Sequence, residues 1–337
     1  MRRVAHRLAI ATAAGTVVLI LAGGLVTNTG SALAVPDWPT TFGRNMFLFP
    51  WAGMIGGIFF EHSHRLIGAI VGALTLGLAA VLWPLGGRLR ALGLTAVAAV
   101  VAQGVLGGLR VVLLADTLAI VHGCLAQAFF ALVVAIVVLL APRRPAVPVE
   151  PSLRVLAPAA AALVYVQIVL GALLTHAGYV ALHLAGALVV FTVIPIVTAR
   201  LRRTGDAALG RASRMMLVLL GVQLLLGIGS YLARFSALWI PGGQTTVLAL
   251  PVAHRLVAAL ILATTVTVAV RLTQTTRGVV ASRSMHDGPA SAGVPAASNA
   301  GLARAISIRV GEAGRGRVVR LAPAVVKTAQ RPSEVGS

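Results

Sequence analysis

Eight apolar segments, each about as long as a helix needs to cross a bilayer, constrain this chain more than any other feature. They lie near residues 8–28, 62–83, 91–112, 118–140, 154–174, 180–199, 213–233 and 249–270. A helix rising about 1.5 Å per residue needs about 20 apolar residues to cover about 30 Å of hydrocarbon. Pro, Gly and charge break the series, as in PLGGRLR at 84–90 and PRRPAVPVEPSLR at 142–154. With 58% of residues hydrophobic and 11% charged, the chain has too little polar surface for a soluble domain. The expected fold class is an all-α membrane protein with eight transmembrane helices, partnered by the lipid bilayer.

The formal charge of +20 suggests nucleic acid at first sight, but its distribution excludes that partner. The arginines stand in short clusters between apolar runs: Arg2, Arg3 and Arg7; Arg88 and Arg90; Arg143, Arg144 and Arg154; Arg200, Arg202, Arg203, Arg211 and Arg214. These fall on one side of the membrane, and the other side offers Arg44, Arg110 and Arg234. The positive-inside rule then makes both termini cytoplasmic, in a multi-pass protein of the cell (inner) membrane. The first apolar run is read as a retained span, because no small-residue cleavage site ends a short core. The single cysteine, Cys124, excludes an intrachain disulfide and a Cys-rich metal site.

An internal repeat divides the chain. Gly23-Gly24-Leu25-Val26-Thr27-Asn28-Thr29-Gly30 ends span 1 as Gly171-Ala172-Leu173-Leu174-Thr175-His176-Ala177-Gly178 ends span 5. Gln103 precedes Gly107 by four as Gln223 precedes Gly227, and His64-Arg65-Leu66 opens span 2 as His254-Arg255-Leu256 opens span 8. Four spans per half make the repeat parallel, so two pseudo-symmetric four-helix bundles are expected. The implied divisions are an N-terminal bundle over 1–141, a cytoplasmic linker over 142–153, a C-terminal bundle over 154–271, and a disordered, basic cytoplasmic tail over 272–337.

Four histidines fall inside even-numbered spans: His64, His122, His183 and His254. Each lies near the outer start of its span, so all four share one depth, one pair to each half. An ionisable residue in the membrane needs a partner and marks function. Two neutral imidazoles from opposite helices suit a six-coordinate haem iron. An interhelical hydrogen bond would explain one such histidine, but not two pairs at one depth. Zinc usually takes a third protein ligand, which the second half lacks.

Glu61 stands three residues before His64, on the same helix face, and Pro251 occupies the matching place in the other half. Its carboxylate would either orient His64 or perform acid/base chemistry at a haem substituent. The plainer alternative is a helix cap or an ion pair with Arg65. Arg65, Arg110 and Arg255 are candidates for haem propionates, with snorkelling to the interface as the competing role. His176 is read as a solvated residue of a short outer loop.

On these residues the chain resembles the haem A synthase family across spans 1 to 8. GGLVTNTGSAL with DWP in the first outer loop, and Glu61-His62-Ser63-His64-Arg65 as Glu-x-x-His-Arg, carry the resemblance, followed by His122, His183 and His254 in order. The resemblance implies oxidation of the C8 methyl of haem O to a formyl group, through two hydroxylations and loss of water from a geminal diol. It makes His64 and His122 the ligands of the substrate haem, His183 and His254 those of a resident haem b, and Glu61 the catalytic carboxylate. A haem O synthase as substrate supplier, an unidentified electron-transfer partner and an optional homo-oligomer are the implied partners. The cysteine pairs that many bacterial members carry in outer loops have no counterpart here.

The competing class is a dihaem b-type cytochrome confined to electron transfer. Such proteins often stack two ligands on one helix, whereas each span here carries one.

Overall fold

A computed structural model describes residues 1–142, 147–236 and 241–286. Eight long helices make up almost all of it: α1 (Arg2–Asn28), α2 (Gly56–Leu82), α3 (Gly87–Leu113), α4 (Asp116–Leu140), α5 (Pro151–Ala177), α6 (Val180–Arg203), α7 (Ala207–Phe235) and α8 (Gly243–His286). Each is long and apolar enough to span a bilayer, so the chain is a multi-pass membrane protein. Every expected span lies within one helix except the second, whose last residue, Trp83, falls in the short 3-10 turn that follows α2. However, α1, α2, α7 and α8 each begin six residues earlier than hydropathy alone suggests. The starts of α2 and α8 follow backbone geometry: an extended Ile55 precedes α2, whose first residue, Gly56, has a positive φ, and Gly242 and Gly243, both at positive φ, open α8. At the other end, α8 continues to His286, into the first part of the segment expected to be a tail. Arg143, Arg144 and the tail from 287 lie outside the described residues.

Buried threonine hydroxyls in the spans are satisfied locally, as hydrocarbon demands. The hydroxyls of Thr12, Thr16, Thr75 and Thr265 donate to carbonyls of their own helices. Asp206 caps α7 by accepting from Ala208 and Leu209 N–H at 2.9 and 2.8 Å. Gly178, in the left-handed conformation, ends α5. Arg2 donates to the last carbonyls of α4, Leu139 and Leu140, bringing a cation to that helix C-terminus.

Packing closes each half on itself. Helices α1 to α4 touch in a ring, α1 on α2, α2 on α3, α3 on α4 and α4 on α1, and α5 to α8 do the same. The histidine-bearing helices are therefore diagonal partners, α2 with α4 and α6 with α8. Val71, Leu78, Phe129, Val133 and Ile136 centre one core, and Leu153, Ile194, Leu201, Met216 and Leu262 the other. Between the halves, Phe130 and Val134 of α4 meet Ala259 of α8, with Ala13, Val17 and Ile20 of α1 beside them. Asn28 donates to the Leu248 carbonyl at 3.1 Å, and Gly24 passes close to Val252, which sets the register of α1 against α8.

Candidate functional site

The diagonal packing brings the histidines together in pairs. The ring centroids of His64 and His122 are 6.4 Å apart with planes at 74°, and those of His183 and His254 are 6.3 Å apart at 65°. An imidazole nitrogen binds a metal at about 2.1 Å, and the ring centre lies about 1.2 Å behind it, so two imidazoles on opposite sides of one ion stand roughly 6.5 Å apart. Both pairs meet that spacing. Nδ1 atoms of His64, His122 and His254 are buried without a well-aligned hydrogen bond, and the main chain of Leu19, Gln103 and Gln223 lies beside these rings. Two ligands per centre leave the equatorial positions of an iron to a macrocycle, so the donor set fits haem.

Each ring rests against a glycine of the preceding helix. A Cβ at Gly23, Gly107, Gly171 or Gly227 would stand 3.1, 3.4, 3.3 or 3.1 Å from Cε1 of His64, His122, His183 or His254. Gln103, Gln167 and Gln223 each stand four residues before one of these glycines. Gln103 Nε2 donates to the His122 carbonyl at 3.0 Å, Gln167 Nε2 meets the His183 carbonyl at 2.9 Å and its Nδ1 at 3.2 Å, and Gln223 Nε2 lies 3.1 Å from His254 Nε2. The sequence reading missed Gln167, although the same Gln-x3-Gly spacing that marked Gln103 and Gln223 would have found it.

The segment between α1 and α2, residues 29–55, folds over the end of the N-terminal bundle, and α2 holds it through the residues flanking His64. Glu61 is buried; it accepts from Val35 N–H at 2.9 Å and pairs with Arg65 at 2.7 Å. Arg65 also donates to the carbonyls of Asp37, Thr40 and Val35 at 2.7, 3.1 and 3.1 Å. The buried His62 meets Thr41 Oγ1 at 3.1 Å and packs on Phe49. Asp37 gathers the turn by accepting from Phe42 and Gly43 N–H and from Thr40. Burial pushes its carboxyl up, but those bonds outweigh it and hold the carboxyl below its ordinary value. The Trp38 ring lies on Gly108 of α3, where a Cβ would stand 2.3 Å from the indole. Thus the ion pair weighed as the plainer role of Glu61 does form, and four of the five N–H donors of Arg65 are committed to Glu61 and the loop.

Arg110 and Arg255 are differently placed. Arg110 lines a cavity of about 320 Å³ at the histidine end, with Thr27, Thr175, His176 and Arg234. Arg255 is half-buried and reaches Thr175 Oγ1 at a long 3.4 Å. His176 belongs to the last turn of α5 rather than to a loop. Cys124 is half-buried, and its carbonyl accepts from Tyr165.

No family model matches the chain. Over 107 residues it is 36% identical to a heme A synthase from Alkalihalophilus pseudofirmus, a stretch covering 31% of this chain and 35% of that protein. A heme A synthase from Shouchella clausii is 34% identical over 116 residues, covering 33% and 37%. The similarity is to haem A synthases. It is a partial one, since the match spans about a third of the length of these curated relatives. It agrees with the resemblance carried by the Glu61-to-Arg65 motif and the four histidines.

Proposed function

We propose that the chain is a haem A synthase, which oxidises the C8 methyl of haem O to a formyl group by successive hydroxylations. The observation that carries the reading is two histidine pairs at metal-bridging spacing, of which only the His64–His122 pair has a buried carboxylate three residues from a ligand. The partial similarity to haem A synthases supports the same assignment.

In this reading His64 and His122 hold the substrate haem O, and His183 and His254 hold a resident haem b, which supplies one-electron redox chemistry when bound. Glu61 moves protons at the reacting methyl. Arg110 and Arg255 bind propionates through charge-assisted hydrogen bonds. Arg65 is less suited to that task, because Glu61 and three loop carbonyls already take four of its five N–H donors. Conversion of a methyl to a formyl group is an oxidation, so electrons must pass between the chain and a redox partner, and the His183–His254 site relays them. In this reading both termini are cytoplasmic and the histidine end faces outward, an orientation that the arginine clusters support. A haem O synthase supplies the substrate.

One observation favours a second reading, a dihaem cytochrome without substrate chemistry: both Glu61 oxygens already have structural partners. Haems extracted from cells coexpressing the chain with a haem O synthase separate the two by mass. Haem A is expected; bound haem b with no haem A would leave the cytochrome.

A further inference from the structure

Basic side chains from both halves converge on one small cavity at the histidine end. Arg110 of α3 lines it with Thr27 of α1, and from the other half come Thr175 and His176 of α5 and Arg234 of α7. Arg255 of α8 reaches the same wall through Thr175 Oγ1 at 3.4 Å. The volume, about 320 Å³, is that of roughly ten waters, enough for more than one carboxylate. Among the described residues, none of these three arginines forms an ion pair. The charges of Arg110, Arg234 and Arg255 all act on His176, and Asp116, at the exposed start of α4, opposes them. Cations gathered around one cavity with so little acid repel one another, and an anion inside it relieves that repulsion.

The cavity is close to both histidine pairs. Thr27 stands one helical turn beyond Gly23, on which His64 rests, and Thr175 one turn beyond Gly171, on which His183 rests. Arg110 follows Gly107, the seat of His122, by three residues, and Arg234 follows Gly227, the seat of His254, by seven. At about 1.5 Å per residue, the cavity wall lies about 5–10 Å along the helices from the four rings. The charge of Arg110 reaches both His64 and His122, and that of Arg255 reaches His254. Resting on the haem reading above, we propose that this cavity is a single carboxylate site shared by the two halves, in which Arg110, His176, Arg234 and Arg255 bind propionates of both haems.

A haem held between two histidines carries its carboxylates on one edge, so edges turned to one cavity bring the two macrocycles together at their propionates. The donors come from the basic side chains. The hydroxyls of Thr27 and Thr175 already donate to the Gly23 and Gly171 carbonyls at 3.0 and 2.9 Å and offer the cavity only acceptors. A guanidinium presents its N–H groups as a fork that holds more than one oxygen, so an arginine of either half can bridge two carboxylates. Each haem is then held in part by the opposite half.

The test uses the full chain loaded with haem b or with haem b dimethyl ester, whose propionates carry no charge, and reads haem transfer to excess apomyoglobin. His64→Leu leaves the C-terminal haem alone in the chain, and His183→Leu the N-terminal one. Arg110→Leu should then speed loss of haem b from the His64→Leu chain, and Arg234→Leu from the His183→Leu chain. Each should do so by roughly 10–100-fold, because each removes a charge-assisted hydrogen bond that the opposite half supplies. Loss of the dimethyl ester should be the same with and without either arginine. If a leucine variant does not fold, Arg110→Gln or Arg234→Gln takes its place with the same expected result. Arginine variants that speed loss only of the haem in their own half overturn the shared site. Variants that speed loss of haem b and of its ester equally overturn the propionates as ligands and leave the cavity to a free anion such as inorganic phosphate. A wild-type chain that takes up neither haem overturns the haem reading itself.

Discussion

His64-Arg65 in α2 and His254-Arg255 in α8 are the same dipeptide at matching places, yet their arginines do different things. Arg65 is tied to Glu61 and to three carbonyls of the 29–55 segment. Arg255 has Pro251 where Glu61 would be and makes one long bond to Thr175. A buried arginine beside a carboxylate can be spent on main-chain carbonyls, because its charge is already balanced. Without that carboxylate, the second arginine has no acidic partner on its own helix turn, which is what the proposed propionate contact requires. The difference between Glu61 and Pro251 thus goes with a tied Arg65 in one half and a less engaged Arg255 in the other.

The largest expected effect breaks the pairs one at a time. His183→Leu should remove the resident haem and leave the N-terminal site able to take up added haem; His64→Leu should do the reverse. The haem-to-protein ratio and the low-spin optical spectrum of each purified variant check this. If either substitution empties both sites, the halves are not separate centres.

Next in size is the ion pair that distinguishes the halves. Removing one partner of a buried pair costs about 3–5 kcal/mol, because the other charge stays buried. Glu61→Ala should therefore destabilise the N-terminal half by that order and also stop haem A formation. Glu61→Gln keeps an oxygen for the Val35 N–H, so it should cost less stability while stopping conversion equally. Thermal unfolding of the two variants, set beside haem A yield, separates the anchoring role from the chemical one. Full conversion by Glu61→Gln would make Glu61 an anchor alone.

The spans were legible because crossing hydrocarbon imposes both a length and an apolar composition, and those survive without any knowledge of packing. The histidines were legible because a polar side chain at membrane depth stands out against such a background. The clamp on the 29–55 segment was not. Arg65 is bound mainly by the carbonyls of Val35, Asp37 and Thr40, and main-chain acceptors leave no mark on residue identity. Gln167 was hidden for another reason: the likeness between spans 1 and 5 runs from Gly171 to Gly178, and four positions upstream Gln167 matches Leu19, so no shared residue marks it. The early start of α2 was hidden because hydropathy reports where lipid begins, not where the backbone first turns.

The smallest effect concerns the seat of the cover. Gly107-Gly108 in α3 corresponds to Gly227-Ile228 in α7, and the second position differs in kind: Trp38 lies on Gly108, whereas Ile228 is exposed. Gly108→Ala puts a methyl into the indole, and overpacking of this sort costs about 1–3 kcal/mol. Replacing a helical glycine by alanine returns up to about 1 kcal/mol, so the net loss should be modest and a melting temperature alone would understate it. Gly210→Ala in α7, where an added Cβ meets nothing within 4 Å, provides the control for the helical gain. The sharper measurement is amide exchange at Phe42 and Gly43, whose N–H groups Asp37 holds a few residues from Trp38. Faster exchange there in Gly108→Ala, with no change in Gly210→Ala, would show that the glycine seats the cover; equal exchange in both would mean that Glu61 and Arg65 hold the segment without it.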